Sequence, residues 1–198
     1  MLGSISPVGE AARNQRWWLT ATAYVAASAG AGALLGALLG GGGALLAGGL
    51  PTPVRLATLG ILLVVAAAVD TVTRGAGPPS WHRQVDERWL TTYRGWVYGA
   101  GFGAQLGVGV ATIITSAATY AMLSAALLAG SWGAGLAVGA AFGVARSLPL
   151  LAMAGVDAAD RLYTVTRRVA RAEPLVHRLT VGGQGALAAV ALLVALTT

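Results

Sequence analysis

The sequence predicts an all-α integral membrane protein with about five transmembrane helices, and three observations predict it. The 198-residue chain is 56% hydrophobic and only 10% charged, too apolar for an ordinary soluble domain. Its apolar residues gather into five stretches, 17–50, 54–72, 96–130, 133–154 and 179–196, and a span takes about 20 such residues. Its arginines alternate in sidedness: Arg13 and Arg16, then Arg74, Arg83, Arg88 and Arg94, then Arg161, Arg167, Arg168, Arg171 and Arg178. Cytoplasmic loops collect positive charge. Five crossings of the cell (inner, plasma) membrane, with the N-terminus inside and the C-terminus outside, place all of these on the cytoplasmic face. Residues 1–198 then form a single membrane domain, because no segment outside the spans is long enough to bury a second core.

The first fifteen residues read as a short, mostly polar tail, followed by an interfacial anchor at Trp17 and Trp18. No cleavable signal peptide is evident, so the first apolar run reads as a retained span. Residues 17–50 would make a helix of about 51 Å, longer than the ~30 Å hydrocarbon core. The run Gly40, Gly41, Gly42 and Gly43 predicts a break there, since glycine weakens a helix. Pro51 and Pro53 end the unit. Residues 54–72 are the simplest span, with Asp70 near the inner end and Arg55 at the outer end, within snorkelling reach of head groups. Leu63 is expected on its lipid face.

The connector 73–94 carries Gly75, Gly77, Pro78 and Pro79, a loop signal. Trp81, Trp89, Tyr93, Trp96 and Tyr98 then mix with arginines, which predicts a short interfacial helix. Residues 96–130 are again too long for one straight crossing. They open with Gly95, Gly99, Gly103 and Gly107, and the fourth span carries Gly135, Gly139 and Gly143, all spaced by four. Such glycines share a helix face. Lipid tails give helices no hydrophobic reason to associate, so close backbone approach has to supply the packing. Pro149 should kink the fourth span and free the carbonyl of Ala145. Residues 156–173 read as an amphipathic surface helix ended by Pro174, and 179–196 as the last span.

The net charge of +6 does not indicate nucleic acid. It is concentrated beside the spans, where it meets anionic head groups. All thirteen basic residues are arginine, as in a chain from a GC-rich genome. The absence of cysteine excludes disulfides, thiolate metal sites and thiol redox chemistry.

Arg146 is the sharpest residue for function. An arginine inside a span is expensive unless it is paired or reaches water. Gln105 sits at a similar expected depth, and Asp70 offers the opposite charge. Arg146, Gln105, Thr112 and Asp70 therefore form the candidate binding set, suited to an anion or small polar solute. The alternative is a snorkelling arginine with a structural partner. Thr112, Thr115, Ser116 and Thr119 recur at three and four residues, and their hydroxyls can bond back to helix carbonyls or line a polar path. His82 and His177 read as loop residues. No catalytic set, metal-ligand spacing or phosphate loop is present, so neither enzyme activity, a metal nor a cofactor is expected.

Trp18, Tyr24 and the Ala/Gly-rich run to Gly48 echo Trp96, Phe102 and the run to Gly130, at an offset of about 78 residues. Repeated halves with Gly-interrupted helices point to a transporter-type fold. The region 96–154 also resembles the membrane domain of the cytochrome c biogenesis and DsbD-like (LysE-type) thiol–disulfide transporters. The residues that carry the likeness are Gly101-Phe102-Gly103, Gly107-Val108-Gly109, Ala117-Ala118-Thr119 and the run from Gly139 to Leu151 with Ser147-Leu148-Pro149-Leu150-Leu151. The resemblance implies a three-plus-three inverted repeat with a Pro–Cys break in the first helix of each half. That break would fall near Gly107–Gly109, where this chain has neither Pro nor Cys, so no functional residue carries over. Two functions are open from sequence: a small transporter moving a polar or anionic solute, acting as a homo-oligomer, or a non-catalytic subunit packed against another membrane protein. The lipid bilayer is a partner in both.

Overall fold

The computed structural model describes residues 5–73, 78, 88–110 and 114–198. Among them every regular element is helical: α1 (Pro7–Ala12), α2 (Trp17–Ala47), α3 (Thr52–Thr73), α4 (Trp89–Thr92), α5 (Gly95–Val108), α6 (Ala118–Leu128), α7 (Trp132–Leu151) and α8 (Ala159–Thr197). Four of these, α2, α3, α7 and α8, are long and apolar enough to cross a membrane.

Helix α2 is the axis of the bundle. On one side it packs antiparallel against α7: Gly32 faces Gly139, Gly36 faces Gly135 and Gly40 faces Ser131, backbone against backbone. On another it packs parallel against α5, where Gly99, Gly103 and Gly107 meet the backbone at Thr20, Tyr24 and Ser28. The Ser28 hydroxyl donates to the Gly143 carbonyl at 2.7 Å and pins the two helices where these faces meet. Helices α3 and α8 form a second antiparallel pair, with Gly60 against Leu192 and Asp70 against Gln184. Helix α6 lies between the two groups and touches α2, α3 and α7.

Several expectations are corrected. Helix α2 runs through Gly40, Gly41, Gly42 and Gly43 without a break. Local glycine propensity loses there because Gly36, Gly40 and Gly43 each receive another backbone at close range. In hydrocarbon a helix also satisfies its own backbone, whatever the side chains. Pro174 does not end a helix: α8 continues through it from Ala159 to Thr197. Pro174 lies on an exposed stretch, so the carbonyl it frees does not face a packed interior. Pro149 lies within the last turn of α7, so its effect is confined to the helix end. Leu63 does not face lipid; it is buried with Ala66, Ala117, Ala121 and Ala188. The start of the expected interfacial aromatic helix, with Arg74, Trp81, His82 and Arg83, lies outside the described residues. Its described end, α4, turns Trp89 inward to stack on Phe102 at 5.9 Å.

The third stretch, too long for one straight crossing, is two helices. Helix α5 stops at Val108, and Gly109 takes φ +78°, a conformation that glycine reaches without the steric penalty of a Cβ. Helix α6 begins at Ala118. Parallel packing puts Gly107 level with Ser28, and Leu127 lies against Gly43. The two half-helices thus run in one direction alongside α2, with the interruption between Ser28 and Gly43.

Candidate functional site

The interruption carries an opposite charge at each end. A helix C-terminus leaves carbonyls without intrahelical partners and bears partial negative charge. At the end of α5, Arg146 of α7 donates from Nη1 to the carbonyls of Leu106 and Gly109, each at 3.3 Å. Its guanidinium also lies 5.4 Å from the Phe142 ring. A helix N-terminus leaves amides unpaired and bears partial positive charge. At the start of α6, Asp70 of α3 accepts the Ala117 amide on Oδ1 and the Ser116 hydroxyl on Oδ2, both at 2.7 Å. Ser116 in turn accepts the Ala118 amide at 3.1 Å. Gln184 of α8 adds a third bond to Asp70, from Nε2 to Oδ2 at 3.0 Å.

Arg146 lies five residues before the end of α7 at Leu151, about 8 Å along the helix, and Asp70 three residues before the end of α3 at Thr73, about 5 Å. Asp70 is only 2% exposed, and Arg146 is half-buried. The far end of α6 completes the pattern: the Arg55 head group lies against Gly130, just past its C-terminus. The two charged residues of α3 thus bracket α6, the acid at its positive end and the arginine at its negative end.

The sequence-predicted set is therefore distributed along the interruption. Arg146 bonds to α5 carbonyls rather than to Gln105 or Asp70, and Asp70 bonds to α6 and α8. The reason is that an interrupted helix creates unsatisfied backbone groups nearer to each charge than the other charge is. Gln105 lies on α5, one residue before Leu106, and is partly exposed. Thr112 lies outside the described residues.

Sequence reasoning missed Gln184 as the third partner of Asp70. Its one signal was an amide in an otherwise apolar span. It also missed a polar knot at the starts of α2 and α5. From Ile5 onward the tail is packed: Ser6 caps α1 by accepting the Gly9 amide at 3.2 Å, and Ile5 enters a core with Ala21, Tyr24, Tyr98, Phe102 and Leu150. Glu10 is fully buried. It accepts hydrogen bonds from Tyr98, from Thr20 at 2.7 Å and from Arg13 at 2.7 Å. Gln15 accepts the Gly95 amide at 3.0 Å. Burial opposes the charge on Arg13, but its bonds to Glu10 and Tyr98 outweigh this and hold its pKa above the usual arginine value. The knot ties the first helix turn to the starts of α2 and α5. It is an anchor with every carboxylate oxygen occupied, so the interruption remains the stronger candidate for a site.

No family model, curated protein or solved structure matches this chain.

Proposed function

We propose that the protein is a small transporter-like membrane protein that moves a small polar or anionic solute past the interruption between α5 and α6. The observation that carries the reading is that interruption. Non-helical backbone at membrane depth is tolerated only where protein buries it or a water-filled cavity meets it, and interrupted spans are how secondary transporters build midplane sites. With α5 and α6 counted as one broken crossing, the chain spans five times. The arginine distribution puts the N-terminus in the cytoplasm and the C-terminus outside. The protein acts without catalysis and without a cofactor, as an oligomer in the plasma membrane. Kinship with the thiol–disulfide transporters is a proposal about architecture alone. It is supported by the end of α5 at Val108, where that family's break would fall. The parallel course of α2 and α5 departs from an inverted repeat.

Accessibility tests the reading, and the absence of native cysteine removes background. Thr115→Cys, beside the interruption and exposed, should react with a water-soluble, membrane-impermeant thiol reagent in purified proteoliposomes opened on both sides. Ala68→Cys, on the exposed face of α3 near Asp70, should react at least about tenfold more slowly, because an impermeant reagent is excluded from hydrocarbon. Equal protection of both would remove the water-facing path and the transporter reading with it.

Orientation has its own test. In intact cells Glu173→Cys should be protected from the same reagent and Ser131→Cys should be labelled. The reverse pattern would overturn the positive-inside assignment.

The alternative, an accessory subunit of a larger membrane complex, is favoured by one feature. From Asp160 to Arg178 helix α8 is exposed along nearly its whole length, a basic, amphipathic arm with room for a partner. A stoichiometric larger membrane protein retained through purification in mild detergent would select this reading, and a homo-oligomer the first.

A further inference from the structure

We propose that Asp70, Gln184 and Ser116 form a binding site for one hard monovalent cation, sodium in class, between α3, α6 and α8. The site does not depend on the transporter reading and would hold in an accessory subunit.

Charge is the first argument. The Asp70 carboxylate is buried, and its three bonds come from neutral donors: an amide of the backbone, a hydroxyl and a side-chain amide. Among the described residues no cationic side chain pairs with it; the two ion pairs there are Arg13–Glu10 and Arg161–Asp157. A buried charge without a counter-ion is costly, and a bound cation supplies one.

The second argument is independent of charge. Gln184 is 5% exposed, and its Oε1 is buried without a hydrogen-bond donor. Its Nε2 lies 3.0 Å from Asp70 Oδ2, so the orphaned oxygen, on the same planar amide, is held beside the carboxylate. One turn along α3 from Asp70, the Thr73 hydroxyl is also buried without a partner. A buried acceptor left without a donor is destabilising. A cation satisfies the carboxylate and the orphaned oxygen together.

The ligand chemistry sets the class. Carboxylate, amide and hydroxyl oxygens suit hard cations. A single carboxylate balances a single positive charge. Among the described residues no three His, Cys, Asp or Glu side chains gather, so the set lacks what a divalent or transition metal takes. A proton is the competing occupant: it would neutralise Asp70 and could hydrogen-bond to Oε1 after the amide turned over.

The experiment is equilibrium dialysis of the purified full-length protein in mild detergent against radioactive sodium, with thermal melting in sodium chloride and in choline chloride at equal ionic strength. The expected result is about one sodium per chain, with a melting temperature that climbs with sodium concentration as mass action requires. Gln184→Leu removes the orphaned oxygen and keeps an apolar side chain on α8. It should weaken sodium binding at least about tenfold and flatten the sodium dependence of melting. Asp70→Asn should do the same, and Gln184→Leu carries the test by itself if Asp70→Asn does not fold. The proposal fails if the wild-type chain binds no sodium at pH 6 or pH 8, or if Gln184→Leu binds it as well as wild type. It also fails if acidification in choline stabilises the protein while sodium does not, which would make Asp70 a proton site.

Discussion

Gly139→Leu should abolish the folded protein in mild detergent, and Gly42→Leu should leave it intact. A Cβ at Gly139 would collide with the carbonyl of Gly32, and the next atoms in its way are also backbone. No side chain can turn aside to make room. Helices α2 and α7 would have to separate, and the bond from Ser28 to the Gly143 carbonyl would break with them. Overpacking an ordinary core costs about 1–3 kcal/mol; here a whole leucine meets rigid main chain, so the effect lies at or beyond the top of that range. Gly42 is the control on α2 itself: a Cβ there meets nothing within 4 Å. Leucine is a better helix former than glycine by up to about 1 kcal/mol, so Gly42→Leu should melt at the wild-type temperature or slightly above. Monodispersity on size exclusion and the melting temperature check both variants. A well-folded Gly139→Leu would show that the close α2–α7 approach does not hold the bundle together.

The contrast between those glycines shows what the sequence made legible. Spacing by four put Gly135, Gly139 and Gly143 on one face of α7, and the structure presses that face on α2. Apolar length is readable along the chain, so the span expected at 54–72 emerges as Thr52–Thr73 and the one at 133–154 as Trp132–Leu151. Burial was much harder to read. In water, apolar periodicity marks the face turned inward, but in lipid both faces are apolar and the signal vanishes. That is why the apolar pattern points Leu63 to lipid although it is buried. Local breakers misled for a related reason. Gly40, Gly41, Gly42, Gly43 and Pro174 carry strong propensities, yet close packing and the need to satisfy the backbone in lipid decide where helices stop. The stop that does occur, at Gly109, sits in a run of β-branched residues, Val108, Val110, Thr112, Ile113, Ile114 and Thr115, which are weaker helix formers than the alanines and leucines of α2. The partners of Asp70 are distant in sequence, 46 residues away for Ser116 and 114 for Gln184, so only the fold could join them.

Arg146→Leu should destabilise the protein strongly, and Arg146→Glu more strongly still. From sequence alone, leucine at this depth is tolerated for folding, because it removes a charge from the membrane. The geometry reverses that expectation. Arg146 serves two carbonyls at the C-terminus of α5, Leu106 and Gly109, where no further turn of α5 follows. The Leu106 carbonyl keeps the Gly109 amide as a partner, so what is lost is two hydrogen bonds from a charged donor, about 1.5–3 kcal/mol each, offset in part by the arginine's own desolvation. Glutamate adds repulsion between its carboxylate and the negative end of α5 and puts a second acid near the interruption that Asp70 already serves. Lysine keeps the charge but loses the planar fork that reaches two acceptors, so Arg146→Lys should fall between wild type and leucine. Ala145→Leu, one residue away on the exposed face of α7, should be close to neutral. Melting temperatures in one detergent should therefore rank wild type and Ala145→Leu first, then lysine, leucine and glutamate at position 146. A leucine variant as stable as wild type would mean that the end of α5 does not need the guanidinium, and Arg146 would then be free to serve a solute.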